Sequence, residues 1–287
     1  DIALGGLMIN GKKIGMIVLN YNDSQTVEEY YHLIKDYRSL DHIVIVDNKS
    51  PDGSFEKLKP LAGENIDVIQ TDQNKGYSYG NNFGAWYLID KYHVDILFIS
   101  NPDVEYSENF LSQVVTDMKK NNAQAATGYM QLPYEEKMTR YVNGYWREVL
   151  DCTYFLKRIF PFNGPIVHPN EGIIDVGWLP GSLFAVDAMV YKKIGGLDEN
   201  VFLYYEEGIL GEKFRLAGYK MISYFHHSSV SISKSMKKYS QLKQSYKSKY
   251  YLYTTYENIN ILKRFIMKAC ILYGLFRGKI KQYLKLD

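Results

Sequence analysis

The chain has 287 residues, 46% hydrophobic and 23% charged, the balance of a soluble globular protein large enough for one α/β domain with a tail or for two small domains. Its formal net charge of +2 hides an asymmetry: from Lys234 onward 13 Lys or Arg face only Glu257 and Asp287, a net of +11, so residues 1–233 carry −9. Cys152 and Cys270, far apart and in no paired motif, exclude a disulfide scaffold and a thiolate zinc site and fit a reducing cytosol.

Nothing near the start resembles a signal peptide, and the folded domain is expected over 8–235 with a tail over 236–287. Tyrosine is abundant, at 27 residues, and its apolar ring with a polar tip suits carbohydrate or base stacking and membrane-interface positions.

In chain order, Ile14 to Asn20 reads as a first apolar strand ending in Tyr21-Asn22-Asp23-Ser24, where Asp23 or Ser24 caps a helix expected from Gln25 to Arg38. His42 to Val46 is a second buried strand, topped by Asp47. Ser50 to Ser54 is a turn, followed by a short helix to about Leu61, and Ile66 to Gln70 is a third strand. A helix is expected from Tyr79 to Tyr92. Val94 to Ser100 is then an inner strand, which Pro102 cannot extend. Helix (Glu108 to Asn121) and strand (Ala125 to Leu132) follow, and Tyr134 to Pro169 shows no clear period. Ile173 to Trp178 and Ser182 to Val186 read as strands, Ala188 to Ile194 and Tyr205 to Ala217 as helices, and Met221 to Ser233 as a β-rich return. Strands alternating with helices predict a mostly parallel, doubly wound α/β sheet.

Open α/β sheets bind ligands beyond the carboxyl ends of their strands. Asp103, just past the Val94 to Ser100 strand, is placed there to hold a divalent metal and phosphates, although Asn-Pro-Asp is also an ordinary turn. Asp47 is placed to meet a base or ribose, or to cap its own loop. Asn74-Lys75-Gly76 through Asn81 adds a third polar cluster at the same edge. The first strand-to-helix turn, Leu19-Asn20-Tyr21-Asn22, has no GxGxxG, which argues against a dinucleotide fold.

The ordered series Ile17 to Asn22, Ile45 to Ser50, Asn74 to Asn81 and Asn101-Pro102-Asp103-Val104, continued by Gly181-Ser182-Leu183-Phe184, Ile194 to Glu199 and Phe202 to Glu207, resembles the family 2 glycosyltransferases of the GT-A fold. It is most similar to bacterial enzymes of surface-polysaccharide synthesis, such as rhamnosyltransferase-like members. The resemblance implies a nucleotide-binding half over about 14–104 and an acceptor or catalytic half over about 105–235. It implies inverting transfer from a nucleotide-diphosphate sugar, UDP- or dTDP-linked, to a glycan or lipid-linked acceptor, with Mg²⁺ or Mn²⁺.

By the same resemblance Asn20, Tyr21, Asn22 and Asp47 would hold the nucleoside, with Asn74, Gly76 and Asn81 nearby. Asp103 would be the last carboxylate of the family's metal motif, whose first acidic position is Asn101 here. The base would be Glu207, with Glu206 in reserve, where relatives usually carry Glu-Asp. His226 would complete the metal or diphosphate site, Trp178 and Gly181 would line the acceptor side, and Asp187 stands where many relatives have Arg. These departures leave open a catalytically impaired nucleotide-sugar-binding homologue.

In the tail, Ile261, Leu262, Phe265, Ile266, Ala269, Leu272, Tyr273 and Phe276 recur at helical spacing among Lys and Arg. No uncharged stretch reaches the ~20 residues of a spanning helix. The expectations are a basic amphipathic helix on an anionic membrane at the inner face of the plasma membrane, or packing on the body or on a second subunit. The acidic body argues against nucleic-acid binding.

Overall fold

The computed structural model describes residues 9–131, 144–153, 172–231 and 239–284, and of 129–131 and 224–231 it describes the backbone only. Nine strands among the described residues form one sheet: β1 (Ile14–Asn20), β2 (His42–Asp47), β3 (Ile66–Gln70), β4 (Ile96–Ser100), β5 (Val104–Glu105), β6 (Ala125–Gln131), β7 (Ile174–Asp175), β8 (Leu183–Asp187) and β9 (Met221–Ser231). Their order is β3-β2-β1-β4-β8-β6-β9-β5, with β7 paired to β9. β1 to β4 are mutually parallel where they pair, and β8 runs antiparallel between β4 and β6.

Every residue of β2 and β4 is buried, as continuous apolar runs covered on both faces should be. Alternate residues serve two layers. Met16, Val18, Ile43, Ile45 and Phe98 pack beneath helices α1 (Ser24–Ile34) and α4 (Glu108–Lys120). Ile17, Val44, Val46, Leu97 and Ile99 face α3 (Tyr77–Tyr87), α6 (Ala188–Lys193) and α7 (Glu206–Ala217). Helix α2 (Ser54–Leu58) follows the turn after β2.

Three elements differ from the sequence expectation. α1 stops at Ile34, because the chain turns there to bury Leu40 and to let the Asp41 carboxylate accept from Ile14 N at 2.7 Å. α3 starts earlier, at Tyr77, whose N–H donates to Phe202 O at 2.9 Å, and ends in a wider turn over Leu88–Tyr92. The strand expected from Ile173 to Trp178 shrinks to two residues, because Gly177 turns its carbonyl against Gly211, where a Cβ would collide with it.

Helix α5 (Tyr145–Cys152) lies in the stretch without a readable period. With α8 (Tyr239–Tyr251) and α9 (Ile261–Tyr283) it forms a third core, in which Tyr145, Val149, Tyr246, Met267 and Ile271 meet Val201 and Ile209. Inside it Lys249 Nζ lies 2.7 Å from Glu148 Oε2, both side chains nearly fully buried, and the Tyr205 hydroxyl donates to the same oxygen at 2.6 Å. Tyr251 and Tyr256 donate to Asp198 Oδ2 at 3.0 and 2.6 Å, a second tie from the tail to the body. No described helix is long and apolar enough to cross a membrane.

Candidate active site

β2 and β3 run outward on one side of β1 and β4 lies on the other, so the order reverses between β1 and β4. Open sheets of this kind bind ligands at that switch point. Asn20 ends β1 and Asn101 follows β4. A cleft of about 720 Å³ there is lined by Asn20, Tyr21, Asp23, Asn101, Asp103 and Glu105, among others. Asp103 is half-buried in the turn between β4 and β5. Beneath that turn a buried hydrogen-bond chain fixes the end of β4: Ser100 Oγ and the Tyr30 hydroxyl are 2.6 Å apart, and the Tyr30 and Tyr106 hydroxyls 2.5 Å.

Asp47 is wholly buried. Its carboxylate accepts from Asn20 Nδ2 at 2.7 Å, Gln70 Nε2 at 2.9 Å and Ser50 N at 3.0 Å. It thus caps its own loop and locks Asn20, while Tyr21 and Asn22 remain exposed at the rim. Asn74 Oδ1 accepts from Gly76 N at 2.9 Å. Gly76 has φ 104°, and a Cβ on it would strike the Phe202 backbone, so only glycine fits this approach. Asn81 is fully buried, and its Oδ1 has no hydrogen-bond partner.

The carboxylate pair opens α7 directly after Tyr204 and Tyr205, both in the left-handed region at φ 69° and 68°. A Cβ built on Gly181 would stand 2.5 Å from Glu207 Oε1, so the glycine at the head of β8 leaves the space that Glu207 fills. Asn101 N donates to Ser182 O at 2.8 Å, which joins this corner to the end of β4. The Tyr77 hydroxyl donates to Gly181 O at 2.5 Å. Burial, followed by the charges of Glu207 and Glu206, holds that phenol well above its usual range.

The two glutamates are not equivalent. Glu206 is 3% exposed and its Oε2 has no hydrogen-bond partner, whereas Glu207 is only partly buried. Burial, and then the charge of Glu207, pushes Glu206 up to about 8 from 4.5. Between these values the folded chain binds a proton that the unfolded chain has released. Stability contributed by this group is therefore present at low pH and lost as pH rises from about 4.5 to about 8. Glu206→Gln is expected to remove that slope and to raise the melting temperature by several degrees at pH ~8.5 but little at pH ~5. Melting curves of the two proteins across that range check it.

Among the described residues no group of three or more His, Cys, Asp or Glu is placed to hold a metal ion. A single carboxylate such as Asp103 fits an ion that takes its remaining ligands from phosphate oxygens and water. The side chain of His226, on β9, lies outside the described residues. Trp178 is half-buried in the stretch leading to Gly181. Asp187 caps α6, accepting from Val190 N at 3.0 Å.

Two residues of this corner escaped the sequence reading. One is Tyr77, which ties α3 to Gly181 and Phe202. Asn82 Nδ2 donates to Leu197 O at 2.9 Å and Glu199 Oε1 at 2.8 Å, holding the Gly-Gly-Leu-Asp-Glu turn. Their partners are more than 100 positions away, so no local signal announces them.

The sheet order and the meeting of these motifs at its reversal define a GT-A fold. The chain belongs to glycosyl transferase family 2, whose model matches residues 16–173. It is 25% identical over 198 residues to the low-salt glycan biosynthesis hexosyltransferase Agl10 of Haloferax volcanii, covering 68% of this chain and 59% of that protein's length. It is 23% identical over 217 residues to the N-acetylglucosaminyl-diphospho-decaprenol L-rhamnosyltransferase of Mycobacterium tuberculosis, covering 66% of this chain and 67% of that one. Among solved structures it resembles the mannosyltransferase PcManGT from Pyrobaculum calidifontis, in complex with GDP-Man and Mn²⁺, at TM-score 0.59 and 14% identity, over 98% of this chain and 76% of that one. GalNAc-T7, with UDP, GalNAc and Mn²⁺, gives TM-score 0.56 and 12% identity over 94% and 57%.

Proposed function

We propose that the chain is an inverting glycosyltransferase of bacterial cell-surface polysaccharide synthesis. It would move a sugar from a UDP- or dTDP-linked donor to a hydroxyl of a glycan or lipid-linked acceptor at the cytoplasmic face of a membrane. The observation that carries this reading is that the end of β4, where Asp103 lines the cleft at the strand-order reversal, is joined through Asn101 N and Ser182 O to the corner in which Gly181 makes room for Glu207. The relatives support it: one is a hexosyltransferase of glycan biosynthesis, and the other is named for a sugar on a diphospho-decaprenol.

In this reading Asn20, Tyr21 and Asn22 surround the nucleoside, with Asp47 keeping Asn20 in register and Asn81 nearby. Asn74 and Gly76 shape the backbone beside it. Asp103 faces the diphosphate and would hold a divalent ion, with His226 as a further ligand. That ion, when bound, neutralises charge on the leaving diphosphate. Glu207 takes the proton from the acceptor hydroxyl, whose oxygen forms the new bond to the anomeric carbon. The bond from that carbon to the phosphate oxygen breaks, and its electron pair leaves with the nucleoside diphosphate. Glu206, neutral beside it, leaves a single negative charge at the base. Trp178 and Gly181 line the acceptor side.

The test is a thermal-shift panel of UDP-, dTDP- and GDP-sugars with and without Mn²⁺. A donor at ~100 times its Kd stabilises by about 2.7 kcal/mol, a rise of roughly 5 °C or more. The rise is expected to be larger with Mn²⁺, because a lone Asp103 depends on the diphosphate to complete the ion's shell. No shift with any nucleotide sugar would sink the reading. Donor binding without transfer to any acceptor would favour the impaired homologue, a reading to which Asn101 in the metal motif points.

A further inference from the structure

We infer that α9, with the groove it forms against α8, is a docking surface for an anionic lipid bilayer. An ordinary surface helix turns its apolar stripe to the core and its polar face to water. α9 instead has two apolar sides, one packed inward and one facing water. Its inward side is already complete: Met267, Ile271 and Gly274 are buried, and a Cβ on Gly274 or Gly278 would press on Tyr246 or Leu242.

Its outward side carries a second apolar stripe of Ile261, Phe265, Leu272, Phe276, Ile280 and Tyr283, within a sector of about 120° at 100° per residue. Phe265, Leu272 and Phe276 are 75, 60 and 65% exposed. Over 23 residues the helix is about 34 Å long, far more than a scattered exposed residue or two.

Charge selects the occupant. α8 and α9 contain no acidic residue. Beside the stripe a groove of about 540 Å³ has Tyr246, Ile271, Leu272 and Leu275 on its floor, with Lys243, Lys247 and Lys268 around it. Apolar side chains flanked by lysines match acyl chains beneath anionic headgroups. A second copy is disfavoured, since a two-fold contact would bring two cationic faces together. The surface also supplies a physical means for the membrane location proposed above, yet it stands on its own observations.

The test is flotation of the full chain, without nucleotide, on phosphatidylcholine vesicles and on vesicles of phosphatidylcholine and phosphatidylglycerol in equal parts. Binding is expected on the mixed vesicles and to be much weaker on phosphatidylcholine alone. The double variant F265S/F276S should bind at least tenfold more weakly. K243Q/K247Q should lose about 25-fold on the mixed vesicles, about fivefold per lysine. Both variants should melt within a degree or two of the wild type, so lost binding is not lost fold. Absence of binding to either vesicle would overturn the inference. So would a wild-type dimer at sedimentation equilibrium that F265S/F276S dissolves, because a second copy would then cover the face. Because no donor is present, vesicle binding by a chain that no nucleotide stabilises would leave the docking surface standing and sink only the transferase reading.

Discussion

Glu207→Gln is expected to cut turnover about 10²–10⁴-fold, the range of a positioned general base, while donor affinity changes little. The amide keeps the shape that fills the space left by Gly181 but cannot take the acceptor's proton. Glu206→Gln should behave differently. Glu206 is held neutral by burial near neutral pH, so its amide copies the form already present, and turnover near pH 7 should fall by less than tenfold. Gly181→Ala separates shape from chemistry, because its methyl group must push Glu207 aside. It should lower kcat with the melting temperature nearly unchanged. Equal losses in Glu206→Gln and Glu207→Gln would reject the division of roles between them.

Lys249→Met should lower the melting temperature by about 6–20 °C. Breaking a buried ion pair strands the other charge, at about 3–5 kcal/mol, and each kcal/mol is worth roughly 2–4 °C in a domain near this size. Here the group that loses its cation is Glu148, whose Oε2 also accepts from the Tyr205 hydroxyl at 2.6 Å. The double variant Glu148→Gln/Lys249→Met removes both charges and should recover much of the loss, the non-additivity expected of a direct pair. A single variant that melted like the wild type would show that the pair carries no weight. Tyr205 precedes the glutamate pair, so the single variant should also lower kcat more than it changes donor affinity.

The outline of the fold was legible because its strongest determinants are local. β1, β2 and β4 are apolar runs covered on both faces, and the acids and asparagines at their ends are visible in sequence order. α5 was not legible. Tyr145, Val149 and Cys152 have the right spacing, but the buried position between them holds Glu148, whose partner Lys249 lies 101 residues on. The expected amphipathic tail helix is present as α9, but spacing alone did not show that the helix has one apolar side packed inward and another facing out. At the site the sequence pointed to acids without saying how they are used. Asp47 and Asp187 are engaged by donors in their own loops, and adjacent positions in the sequence give no sign that Glu206 is buried while Glu207 is only partly so.

Tyr204 and Tyr205 hold a backbone conformation that side chains resist, and the hydroxyl of the second is gripped by a carboxylate that the tail neutralises. The register of α7, and with it the reach of Glu207, is therefore clamped from behind by α5 and α8, in addition to the hold that Tyr77 N–H has on Phe202 O. A change in how the last helices seat is transmitted to Glu207 directly.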